Sequence, residues 1–118
     1  MNPRDLERRL QVELENEGWR TERAVPQVHI IHGRYVSNNH DFFNCFDLIA
    51  LKDDKVRFIQ VCSGTTLEDH KRKIDRTFPY TSNPIQEIVY FYKMKNRWMH
   101  VSHLRVVSGW LAPILPKK

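Results

Sequence analysis

A single aspartate, Asp47, interrupts the apolar run CFDLIAL (45–51), and the turn Lys52-Asp53-Asp54-Lys55 leads into a second apolar run, VRFIQVCSG (56–64). Two such runs around a short polar turn predict a β-hairpin. A hairpin is a good platform for metal chemistry, because oxygen-bearing groups near the end of one strand and on its neighbour come within reach of one ion. A carboxylate from a helix can complete the shell. Two-metal phosphodiester cleavage needs this convergence, together with a cation near the attacking water and the developing charge.

The other chemistry-bearing residues point less sharply. No pair of the six histidines has the helical i, i+4 spacing of a zinc site, and His29, His32 and His40 spread through a strand and a loop. His40 and Asp41 stand a few residues before Asp47, where a histidine can line a cleft, assist water activation or contact phosphate. Tyr35, Asn38 and Asn39 lie in the same polar stretch, though turn chemistry explains the asparagines equally well. Cys45 and Cys62 make neither a disulfide framework nor a four-ligand zinc site, and read as free buried thiols. Tyr90, Phe91, Tyr92 and Trp98 read as sheet and core aromatics.

The elements that must position these residues follow from periodicity. Leu6, Leu10 and Leu14 recur every four residues through PRDLERRLQVELENE (3–17), which predicts an amphipathic helix with Asn2 as cap, Pro3 at its first position and Gly18 as its stop. Trp19 and TERAVPQVHII predict a short strand region in which Pro26 marks an edge or a break. HGRYVSNNHD (32–41) reads as a polar loop. The two hairpin strands are apolar throughout, as expected of central strands covered on both faces. A second helix is expected over 66–77, opened by Thr65 or Thr66, with Glu68 and Asp69 in its first turn and Pro79 ending it. After the loop TSNP (81–84), EIVYFYKM (87–94) and RWMHVSHL (97–104) form two more strands around Lys95-Asn96. Pro113 and Pro116 argue against a long final helix.

The 118 residues fit one domain, 1–118, with a single core, and an apolar fraction of 41% with 28% charged is that of an ordinary globular protein. No segment is apolar enough to span a bilayer, and MNPRDLERRL is too charged for a signal peptide, so a cytoplasmic location is expected. The net charge of +5 is unevenly spread: from Ile88 to Lys118 there is no acid against six lysines and arginines. That asymmetry favours a polyanionic partner such as DNA. The expected fold class is α/β, one mixed sheet flanked by helices.

The run FDLIALKDDKVRFIQVCSG (46–64), preceded by ERRLQVELENEGW (7–19), resembles the core of PD-(D/E)XK nucleases, in particular the archaeal Holliday-junction-resolvase-like branch. The likeness spans about residues 4–76 and implies a restriction-endonuclease-like fold, Mg²⁺ or Mn²⁺ as cofactor, DNA as substrate and a two-fold homodimer. It places Asp47 at the metal-binding aspartate, with Phe46 where the family has proline, and Glu7 at the helix-borne glutamate. Gln60 stands at the metal-binding acid, Cys62 at the catalytic lysine and Ser63 at the small polar residue after it. Metal ligands would then be Glu7, Asp47, Gln60 through its amide oxygen and Val61 through its carbonyl. Cys62 is never cationic, so the positive charge would have to come from elsewhere, with Lys71 or Lys73 as candidates. His40, Lys71, Arg72, Lys73 and Arg76 are the candidate nucleic-acid contacts. Three readings fit these residues: a variant metal-dependent nuclease, a DNA-binding or assembly module on the same fold without cleavage, and a generic hairpin with an incidental aspartate.

Overall fold

The computed structural model describes residues 3–24, 27–31, 33–38, 42–43 and 45–111, the side chains of 27–31 and 34–38 excepted. Helix α1 spans Pro3–Asn16. Its leucine stripe is driven onto the sheet: Leu6, Leu10 and Leu14 are 1–3% exposed, each burial stabilising by about 1.5–3 kcal/mol. The helix ends where Gly18 turns to φ +95°, a conformation glycine adopts without strain. The turn is closed by Trp19 N–H on Leu14 O at 2.9 Å and Gly18 N–H on Glu15 O at 3.0 Å, the Schellman pair that satisfies carbonyls left open at a helix end.

The chain continues through β1 (Arg20–Arg23), β2 (Gln27–Ile31), β3 (Arg34–Asn38), β4 (Leu48–Lys52) and β5 (Lys55–Ser63). Helix α2 (Leu67–Thr77), β6 (Ile85–Met94), β7 (Arg97–Val106) and β8 (Gly109–Leu111) complete it. Six strands form one sheet in the order β1-β4-β5-β6-β7-β8, and β2-β3 form a separate two-stranded sheet. Within the large sheet β5 and β6 are parallel, joined by α2, and the remaining neighbours are antiparallel. The result is one α/β domain with a mixed sheet. No helix among the described residues is long and apolar enough to cross a membrane.

Two features depart from the sequence expectation. The polar stretch 32–41 is not all loop, since Arg34–Asn38 pairs antiparallel with Gln27–Ile31. Ladder hydrogen bonds hold a two-stranded ribbon extended, so it needs no apolar alternation to betray it. Strand β8, which the sequence reading did not place, pairs Leu111 with Leu104. Asn2, Pro26, His32, Asn39, His40, Asp41, Pro113 and Pro116 lie outside the described residues.

The two helices cover opposite faces, because side chains alternate along each strand. On the α1 face, Leu48, Ala50, Ile59, Val61, Val89 and Phe91 meet the leucine stripe, flanked by Trp19 and Trp98. On the α2 face, Cys45, Phe46, Cys62, Ile74 and Ile88 pack with Phe58, Phe78 and Tyr90. Turns set the register. Asp53 takes φ +55° between Lys52 and its partner Lys55, and Lys95 and Asn96 take φ +52° and +63° between Met94 and Arg97, the left-handed pair of a two-residue hairpin. The far end of α2 is tied down by Asp75, which meets Arg105 Nε at 3.3 Å and Trp110 Nε1 at 3.3 Å.

Candidate functional site

Asp47 sits just ahead of β4, its backbone held from both sides. Its N–H donates to Ile59 O at 2.8 Å, and its carbonyl accepts Ala24 N–H at 2.8 Å. The carboxylate is thereby aimed at the last third of β5, where Gln60 and Cys62 share the face opposite Ile59 and Val61. Asp47 Oδ2 accepts two hydrogen bonds at 2.9 Å, from Gln60 Nε2 and from Val61 N–H. Gln60 Nε2 spends its second hydrogen on Val61 O at 3.1 Å. Asp47, Gln60 and Cys62 are 8%, 5% and 6% exposed, so these bonds lie shielded from competing water.

The residues surround a cleft of about 370 Å³ at the C-terminal end of β5. Leu6 and Glu7 of α1 form one wall, Asp47, Gln60, Val61, Cys62 and Ser63 the floor, and Thr66 and His70 at the start of α2 the other wall. The ends of parallel strands in open α/β sheets are a recurrent ligand position, because crossover helices leave a crevice there. Thr66 stands at the cap position expected of it, but its hydroxyl donates to Ser63 O at 3.1 Å and accepts nothing from the helix.

Glu7, Asp47, Gln60, Val61 and Cys62 therefore all line one cleft. The candidate cations behave differently. Lys71 and Lys73 do not line it; His70 does. A helix turns 100° per residue, and Leu67, His70 and Ile74, spaced three and four apart, share the face toward the sheet. Lys71, its side chain 14% exposed, lies 3.4 Å from Glu68, and Arg72 pairs with Asp69. Lys73 and Arg76 form no ion pair among the described residues, and Arg76 is exposed. The spacing of His70 from Ile74 was the available signal for placing it in the cleft.

The electrostatics of Cys62 argue against a reactive thiol. Burial, then the negative charge of Asp47, push it up to about 12, and the nearby charge of Lys71 draws it back only in part. At neutral pH it is a protonated thiol, neither nucleophile nor soft metal ligand. On the same side of the sheet His103 is pushed below its ordinary value by burial and by Lys71, with Glu68 opposing. Its Nδ1 has no hydrogen-bond partner among the described residues.

Comparison with protein-family models, with curated proteins and with solved structures finds no match to this chain.

Proposed function

We propose that this cleft is a phosphodiester site in a restriction-endonuclease-like fold, and that the chain is a resolvase-like metal-dependent nuclease acting on DNA. The observation that carries the proposal is the convergence of Glu7, Asp47, Gln60, Val61 and Cys62, drawn from a helix, a bend and a strand, on one cleft. The element order around them, helix, antiparallel hairpin and following helix, is the order in which the motif residues occur in the resemblance.

The donor set suits a hard divalent cation such as Mg²⁺ or Mn²⁺. Glu7 and Asp47 bring carboxylates, Gln60 an amide oxygen and Val61 a carbonyl. Among the described residues no group of three or more His, Cys, Asp and Glu is placed to hold a metal, and the proposed set contains only two acids. Two formal charges in place of three predict weak affinity, and the phosphate of a bound strand would add negative charge where it is short. An ion held there would polarise the phosphate and activate water. The chain's own contributions are to hold Asp47 in place, to exclude water through Leu6 and the buried floor, and to present His70 from α2. The charge of Lys71 already reaches Cys62, so it also acts on the floor of the site from outside. The basic side chains of α2 and of the last strands would draw the polyanion in, and a two-fold dimer would turn two clefts toward two strands.

A second reading, a DNA-binding or assembly module without cleavage, is favoured by one observation. Two neutral donors, Gln60 Nε2 and Val61 N–H, already bind Asp47 Oδ2. A nicking assay separates the two. Hydrolysis requires Mg²⁺- or Mn²⁺-dependent cutting of duplex, flap or junction DNA that Asp47→Ala abolishes while the fold survives. The binding module predicts no cutting with either metal, and salt-sensitive DNA affinity that persists in Asp47→Ala.

A further inference from the structure

We infer that Gln60 takes the place of a divalent ion at Asp47 Oδ2, so that the cleft is assembled without metal and an ion reaches that oxygen only by displacing the Gln60 amide. This deepens the site reading proposed above and rests on it.

The orientation of the amide follows from its neighbours. Asp47 Oδ2 at 2.9 Å and Val61 O at 3.1 Å are both acceptors, so the NH₂ end must face them; the reversed amide would set Oε1 against two oxygens. Both side-chain hydrogens of Gln60 are thereby used. With Val61 N–H also on Asp47 Oδ2 at 2.9 Å, the carboxylate oxygen nearest β5 is already occupied. A glutamate at this position would bring a second negative oxygen to about hydrogen-bond distance of the first, in a place that is over nine-tenths buried. That pair needs a proton or a cation between its members. Gln60 removes the need.

Cys62 completes the change. It lies on the same face of β5, and its neutral thiol does not compete with Gln60 for Asp47. To ligate an ion bound at Asp47 Oδ2, Gln60 would have to exchange its NH₂ for its oxygen there and surrender both of its hydrogen bonds. Losing even the charged one of the two is worth at least about tenfold in affinity.

The test compares thermal melts of the full chain and of Gln60→Glu in EDTA, Mg²⁺ and Mn²⁺, with calorimetric titration of Mn²⁺. The wild-type chain is expected to melt at the same temperature in all three. Gln60→Glu is expected to melt lower in EDTA, to recover with Mn²⁺, and to bind Mn²⁺ at least about tenfold more tightly than wild type. A wild-type chain stabilised by Mn²⁺ as strongly as the variant overturns the inference, as does a variant that matches wild type in EDTA and ignores metal. Should Gln60→Glu fail to fold, the Gln60 side-chain NH₂ resonances of the ¹⁵N-labelled wild type decide. They are expected to shift in Asp47→Asn, which removes the charged acceptor; resonances that Asp47→Asn leaves alone overturn it. None of these measurements uses DNA. A wild type that fails to nick DNA removes the hydrolytic reading and leaves the assignment of Gln60 to be decided on its own.

Discussion

Two buried carboxylates lie beside β5, on opposite faces of the sheet, and they are held by different chemistry. Glu87, 2% exposed, takes a guanidinium: Arg57 Nε donates to it at 3.2 Å and a second Arg57 nitrogen pairs with its other oxygen, with Ser102 Oγ at 3.3 Å. Arg57 is in turn stacked 4.8 Å from the Trp19 ring centre. Charge, geometry and packing are all matched there, and nothing is left to bind. Asp47, nearly as buried, receives an amide and a backbone N–H, and it borders a cleft. A buried carboxylate that borders open volume is the better placed of the two to meet a ligand. Glu87 stabilises the sheet; Asp47 is the candidate for chemistry.

The comparison breaks most visibly at the ion pair. Arg57→Met leaves Glu87 buried and unpaired, and is expected to cost about 3 kcal/mol in urea unfolding without touching the cleft. Asp47→Ala orphans two donors, Gln60 Nε2 and Val61 N–H, and is expected to cost about 2 kcal/mol. Asp47→Asn keeps an acceptor and should cost less than about 1 kcal/mol, while still abolishing metal-dependent nicking. An equal and large stability loss in both Asp47 variants would make that residue structural, like Glu87.

The thiol next to Asp47 supplies a pH readout. Cys62 is raised from 9.0 to about 12, so between those values the folded chain keeps a proton that the unfolded chain releases. Its contribution is complete below pH 9 and is lost as pH climbs toward 12, at up to about 1.4 kcal/mol per pH unit. Denaturant midpoints measured from pH 8 upward should therefore fall more steeply in wild type than in Cys62→Ala. A parallel fall in the two would show that the thiol carries no excess proton. A small effect is also expected at the helix surface. Neutralising Lys73 or Arg76 should weaken DNA binding by about 1 kcal/mol each and reduce the salt slope by about one unit per contact. An unchanged slope would place the DNA elsewhere.

Much of the scaffold was legible in the chain because it obeys simple periods. The leucines of α1 repeat every four residues, and the two apolar runs around Asp53-Asp54 could only be central strands. Strand β2 fell within the strand region read from TERAVPQVHII, but β3 was not legible, since its polar residues carry no alternating pattern and it is specified by pairing with β2. In the site, Asp47 stood out as the one charge in an apolar run. The part played by Gln60 did not, because spacing cannot tell which end of an amide faces a carboxylate; only the two acceptors at 2.9 and 3.1 Å do. The charged cluster at 71–73 drew attention to charge, whereas helix geometry delivers His70 to the cleft.

The most direct test is a crystal structure of the chain with a short DNA duplex and Mn²⁺. The account predicts a backbone phosphate in the cleft beside His70, an anomalous Mn²⁺ peak between Asp47 and Glu7, and Gln60 turned to present its oxygen. DNA bound on another face, or a phosphate in the cleft with no ion while Gln60 still donates to Asp47, would contradict it.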